Sequence, residues 1–175
     1  MNYTNSSQST KEVRLTFKRK ELVYDAENYS FVEGDIMTEE EQHAKHQVVD
    51  IGQEGNIDRV TRVLDLVHAE CVEMLYPYTK IEIPTNTKGL DDILVEKQEY
   101  YIDMVLPITF SLTTINLLKT LIHEYMVCRV LADWMSITHP RSQANWEIKC
   151  QTLKEKIQSS VFARIGKVKR KCKPF

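Results

Sequence analysis

Between Val60 and Leu75 the apolar residues recur at helical intervals: Val60, Val63, Leu64, Val67, Cys71, Met74 and Leu75 make one continuous stripe. Asn56 is the expected N-cap of this helix, Asp58 suits the positive end of its dipole, and Pro77 closes it. A longer apolar pattern opens near Ser111 or Thr113, either of which can cap it. Leu118, Leu121, Ile122, Tyr125 and Cys128 cover one face, and Val127, Val130, Leu131 and Trp134 cover another. A helix apolar on two faces belongs at the centre of a bundle. Beyond Pro140 a last amphipathic helix carries Trp146, Cys150, Leu153, Ile157, Val161 and Ile165, and Gly166 stops it.

The front half is patterned more weakly. Val13, Leu15 and Phe17 alternate with polar residues and predict a short extended segment. Leu22, Val23, Ala26, Tyr29 and Val32 predict a helix from Lys20 to about Glu33, with Gly34 as its C-cap. Thr38-x-x-Glu41 is a capping box opening a helix towards Gly52. Ile81 and Ile83 alternate before Pro84, and Tyr100, Ile102, Met104 and Leu106 alternate before Pro107. With the turn-forming TNTKGLDD between them, these predict a β-hairpin. The expected fold is therefore mainly α: a helical bundle with an inserted β-hairpin and extended N- and C-terminal arms. Its helices fall near 56–76, 111–138 and 141–165. Its parts are an acidic N-terminal arm with short helices (1–52), the bundle with its hairpin insertion near 80–106 (53–165), and a basic C-terminal tail (166–175). Leu118, Ile122, Tyr125 and Trp134 are the expected core or interface anchors.

Composition agrees with a globular chain: 175 residues, 42% hydrophobic and 27% charged, which excludes a wholly disordered one. The stretch from Ile115 to Ile137 is long enough to span a bilayer, yet Lys119, His123, Glu124, Arg129 and Asp133 would be costly in lipid. No membrane association is expected. Cys71, Cys128, Cys150 and Cys172 include no CxxC pair, and a chain this long builds a core without staples, so free thiols in a reducing compartment are expected.

Charge divides the chain. From Arg164 to Phe175 there are six basic residues (Arg164, Lys167, Lys169, Arg170, Lys171, Lys173) and no acid. The remainder holds 17 Lys and Arg against 25 acids, a net −8. Between Glu21 and Ala44 there are eight acids and neither Lys nor Arg. Opposite arms of this kind can satisfy each other within a monomer or between copies. The basic tail with Phe175 is thus the candidate partner-binding element. Its open readings are a solvated tail, a tail on nucleic acid, or a tail docked on an acidic protein surface, for which the 21–44 region of a neighbour is a ready candidate.

The candidate chemical sites are thin. His43 and His46, with Glu39 and Asp50, share helical spacing, but an acid-rich polar helix produces this by chance, and no Cys or further His is locally placed to complete a tetrahedral site. His123-Glu124 lacks the second histidine of a zinc-protease motif, because position 127 is Val. His68, Glu70 and Cys71 resemble an acid–base–thiol set, but Cys71 lies in the apolar stripe, where burial keeps a thiol protonated. Glu124, Arg129 and Asp133, on so apolar a helix, need partners within the bundle or across a subunit interface, and are expected as interface or core ion pairs. No enzymatic activity, cofactor, metal or catalytic residue is expected.

The order of elements, together with the segment LLKTLIHEYMVCRVLADWMSITHP (Leu117 to Pro140), resembles the head–tail connector, or neck adaptor, proteins of tailed bacteriophages. The segment is also similar to uncharacterised phage and prophage proteins of gut Bacteroidetes. The likeness is architectural, covers about residues 56–175 and carries no invariant motif. It implies a virion structural protein in the neck and tail region, made in the host cytoplasm. Such a protein forms a homo-oligomeric ring, a dodecamer in the connector pattern, docked on the portal protein and joining it to the next neck or tail component. The alternative is a small helical nucleic-acid-associated regulatory protein that binds DNA through its basic tail.

Overall fold

A computed structural model describes residues 10–38, 42–85 and 95–162, without the side chains of Gln42 and His43. The elements run β1 (Thr10–Lys18), α1 (Arg19–Asp35), α2 (Gln42–Val49), two 3₁₀ turns (Asp50–Gly52 and Glu54–Asn56), α3 (Ile57–Met74), α4 (Tyr76–Thr79), β2 (Glu99–Pro107), α5 (Leu112–Thr138) and α6 (Pro140–Phe162). The protein is mainly helical, with a two-stranded antiparallel sheet.

The expectation that α5 is central holds. Its buried side chains include Leu118, Ile122, Tyr125, Met126, Val127, Leu131 and Met135, and α1, α2, α3 and α6 all pack on it. Ser111 is the cap, its hydroxyl accepting from the Thr113 amide at 3.2 Å. Only His139 separates α5 from α6, so the two helices form an antiparallel pair whose seam on α6 is Trp146, Cys150, Leu153, Ile157 and Val161.

The sheet differs from expectation in its partner. β2 lies where its alternation predicts, but it pairs with β1 over nine residues, from Thr10↔Pro107 to Lys18↔Glu99. Ile81 and Ile83 are 85% exposed and lie outside any strand. The nine-residue β1 offers a full-length partner whose Val13, Leu15 and Phe17 face Met104, Ile102 and Tyr100 on one side. The Ile81–Ile83 segment offers two apolar residues before Pro84, which cannot donate to a ladder. Leu15, Phe17, Tyr100, Ile102, Met104 and Leu106 are all buried, while Arg14 and Asp103 meet across the outer face at 2.6 Å.

Residues 10–38 and 42–52 therefore contribute to the core rather than forming an arm beside it: Leu15, Phe17, Leu22, Ala26, Val48 and Ile51 join the same apolar cluster as the bundle. Gly34 is no C-cap. It lies within the last turn of α1 at negative φ, buried, where an added Cβ would come within 2.7 Å of Val49 Cγ2. Asn56 precedes α3, but its side chain donates to the Asp50 carbonyl at 2.8 Å instead of capping the helix. Pro77 sits in the first turn of α4, one turn beyond the end of α3. Of the capping box at Thr38–Glu41, residues 39–41 lie outside the described residues.

Candidate functional site

The charged residues of α5 are where the sequence concentrates its polar chemistry, and the structure gives His123, Glu124, Arg129 and Asp133 each a partner on another helix. Glu124 accepts from Lys149 of α6 at 2.6 Å and from the Tyr29 hydroxyl of α1 at 3.0 Å. Lys149 also lies 4.6 Å from the centre of the Tyr29 ring and 5.1 Å from that of Trp146, so one ammonium is shared by a carboxylate and two aromatic faces. Burial alone would raise the Glu124 carboxyl, but the Lys149 and Tyr29 donors hold it below the ordinary value of 4.5. Arg129 approaches Glu70 of α3 at 3.6 Å, and Tyr125 donates to the same carboxylate at 2.9 Å. Asp133 pairs with Arg59 of α3 at 2.8 Å. Glu124, Arg129 and Asp133 are thus joined within the chain, which is the bundle-internal form of the expected ion pairs.

The two histidines singled out in sequence have separate surroundings. His123 Nε2 lies 2.7 Å from Asp25 Oδ2 of α1, beside an open cleft of about 560 Å³ lined by Lys18, Lys20, Glu21, Tyr24, Asp25 and His123. Neither a serine nor a cysteine is among the described lining residues. His68 Nε2 donates to the Tyr101 carbonyl at 2.8 Å and its ring packs on Tyr100 at 5.3 Å. Burial lowers its pKa below 6.5, outweighing the carbonyl, and so keeps it neutral. Cys71, Cys128 and Cys150 are free and buried. Burial raises all three thiols, Cys128 to about 12 and Cys150 to about 11, and leaves no thiolate nucleophile among them at neutral pH.

A smaller cleft of about 260 Å³ opens between α3, α5 and α6, lined by Glu70, Tyr125, Arg129, Glu147, Cys150, Gln151 and Lys154. Two cations face two carboxylates there, so it selects neither sign of charge. Among the described residues no cluster of three or more His, Cys, Asp or Glu is placed to share a metal ion. The His43 side chain and Glu39 lie outside the described residues, as do Cys172 and the whole candidate partner-binding set, Arg164, Lys167, Lys169, Arg170, Lys171, Lys173 and Phe175. No helix among the described residues is long and apolar enough to cross a membrane.

What sequence reasoning missed is on α1. Of the expected stripe Leu22, Val23, Ala26, Tyr29 and Val32, Leu22 and Ala26 are buried, Val23 and Tyr29 pack against the core and Val32 is exposed, while Arg19, Ser30 and Gly34 are buried beside them. The outward face keeps Tyr24 (62% exposed), Phe31 (60%), Val32 and Ile36 (73%) in solvent. The seven-residue step from Tyr24 to Phe31 is the signal that could have shown a second apolar face. Ile81 and Ile83 are exposed too, as are Tyr101 and Val105 on the outer face of β2 and Leu112 and Leu117 at the start of α5.

No family model, curated protein or solved structure matches the chain, so its reading rests on its own residues.

Proposed function

We propose that this chain is a structural assembly protein of the head–tail connector kind. Its bundle forms the rigid body of a ring, and its exposed apolar elements and basic tail make the contacts to neighbouring copies, to the portal and to the next neck or tail component, in a virion. The observation that carries this reading is the exposed apolar outward face of α1, together with the Ile81–Ile83 segment, on a bundle in which the half-buried Glu124, Arg129 and Asp133 are paired within the chain. Single exposed apolar residues are ordinary, but apolar groups repeated along one element mark a surface that another chain covers. The internal pairing of α5 supports the same reading, because groups tied up in holding helices together are not available to a substrate.

Light scattering of the purified chain, alone and mixed with a candidate portal protein, tests it. The expected result is a closed oligomer, or a portal complex that survives moderate salt. A persistent monomer indifferent to the portal overturns the proposal, and steep salt-dependent DNA binding by that monomer would replace it with a nucleic-acid-binding reading.

A further inference from the structure

We propose that the outward face of α1 is the docking surface for the basic segment 163–175 of a neighbouring copy. The inference rests on the assembly reading and names the contact that would build it.

The face is amphipathic in a particular way. Tyr24, Phe31, Val32 and Ile36 stand out from it; of the five carboxylates of α1, Asp25 and Glu33 turn to His123 and Trp146 on its flanks and Glu27 lies against Gly52, which leaves Glu21 and Asp35 exposed, with no Lys or Arg on the helix after Lys20. Nearby cations come from other elements: Lys45 reaches Asp35 at 3.4 Å, and Lys18 reaches Glu21 at 3.1 Å. Segment 163–175 is its chemical complement, with six basic residues interleaved with Ile165, Val168 and Phe175. A second copy of α1 is the poorer occupant, because it would set carboxylates against carboxylates across the same apolar patch. The Ile81–Ile83 segment of another copy brings Lys80 and Glu82 together and no net charge to match the acidic helix.

The placement of α6 sets the distance that the segment must cover. Trp146, near the start of α6, donates to Glu33 at 3.1 Å, and its ring meets Tyr29 edge-on at 5.3 Å, so this end of α6 lies beside the C-terminal half of α1. Phe162 is sixteen residues further on, which carries the chain roughly 24 Å along α6 from that contact. The described part of α6 therefore ends away from Phe31, Val32 and Ile36. A donor at one end of a molecule and an acceptor at the other make a heterologous, head-to-tail contact, the kind that closes into rings. Thirteen residues extend to about 43 Å, which reaches α1 of the same chain or of an adjacent copy, and the assembly reading selects the adjacent copy.

The test uses the full chain with the photocrosslinker p-benzoylphenylalanine in place of Phe31. Equal amounts of isotopically heavy and light protein are mixed, irradiated at low and high salt, digested and read by mass spectrometry. The expected product joins α1 to a peptide from 163–175 as mixed heavy–light pairs. Its yield should fall several-fold between low and high salt, and about ten-fold in the triple variant Lys169→Glu, Arg170→Glu, Lys171→Glu, which leaves the bundle untouched. Crosslinks within one chain, crosslinks to α1 or to residues 80–85 of a second copy, or a yield indifferent to salt and to the triple variant each overturn the inference. If light scattering still shows a closed oligomer in those cases, only this contact fails; if the chain is monomeric, the assembly reading fails with it.

Discussion

Lys149 touches three elements at once, and what it does can be read from its neighbours. It neutralises Glu124, lies over Tyr29 and Trp146, and so fastens α6 to α5 and α1. Both charged groups keep partial contact with solvent, so their coupling belongs with semi-exposed pairs, at about 1 kcal/mol rather than the several of a fully buried one. We expect Lys149→Met and Glu124→Gln each to cost roughly 1–2 kcal/mol, with a coupling near 1 kcal/mol in a double-mutant cycle followed by urea unfolding at pH 7. The pH dependence has a definite sign. The folded Glu124 lies below 4.5, so its contribution is complete above that value and is lost as the pH falls through the folded pKa. The coupling should vanish in acid; a cycle that returns the same energy on both sides of that window would show that Glu124 is not the titrating partner. That Glu124 needed a partner was legible in sequence, because it sits on an apolar helix. Which partner it takes was not, since Lys149 and Tyr29 are 25 and 95 residues away.

At the level of elements, α1 shows how one helix can carry three kinds of surface. Its inner line, Ala26, Ser30 and Gly34, is small every fourth residue, which lets α2 come close enough for Ser30 to donate to the Val48 carbonyl. Its flanks reach α5 and α6 through Asp25, Tyr29 and Glu33, and its outer line is the apolar face proposed for docking. Gly34→Ala tests the close approach. The methyl group would meet Val49 Cγ2 at 2.7 Å, and a β-branched side chain has little freedom to turn away. Overpacking of about 1–3 kcal/mol should outweigh the gain of up to ~1 kcal/mol in helix propensity. A lowered urea midpoint is the expected result, whereas raised stability would mean that α2 can retreat at no cost. The sequence pattern placed the helix correctly but assigned Gly34 to its end, because a glycine needed for packing and one needed for a left-handed cap look the same in a single chain.

For the whole molecule, the decisive feature is that the first strand closes on a strand some ninety residues later, so that Lys18 faces Glu99. Contacts of this range join the N-terminal segment to the bundle, and α1 begins at the strand's last residue, with the Arg19 amide donating to the Gln98 carbonyl at 2.9 Å. Removing residues 1–18 would strip Leu15 and Phe17 from the core and bare Tyr100, Ile102 and Met104. Losing two such side chains costs on the order of 5–10 kcal/mol, comparable with the entire stability of a domain. The shortened chain should lose its cooperative thermal transition by circular dichroism; an unchanged melt would return residues 10–18 to the role of a detachable arm. The net charge belongs to this scale as well. A value of −2 summed over the chain conceals an acidic α1 and a basic segment after Phe162, and that separation is what makes assembly through complementary ends a physical expectation.

The sequence by itself determined what local periodicity can encode: long helices expected near 56–76, 111–138 and 141–165, which the described residues show at 57–74, 112–138 and 140–162, the alternating strand around Tyr100–Leu106, the centrality of the two-faced α5 and the burial of the described cysteines. Each follows from the spacing of apolar residues along a few turns or alternations, which is decided within the segment. Only the tertiary structure decided that β1 rather than Ile81–Ile83 completes the sheet, that Leu15, Phe17, Leu22, Ala26, Val48 and Ile51 join the core, and that Phe31 and Ile36 stay in solvent while Ser30 and Gly34 go in. These depend on competition between segments far apart in the chain for the same apolar surface, a competition that no local pattern records.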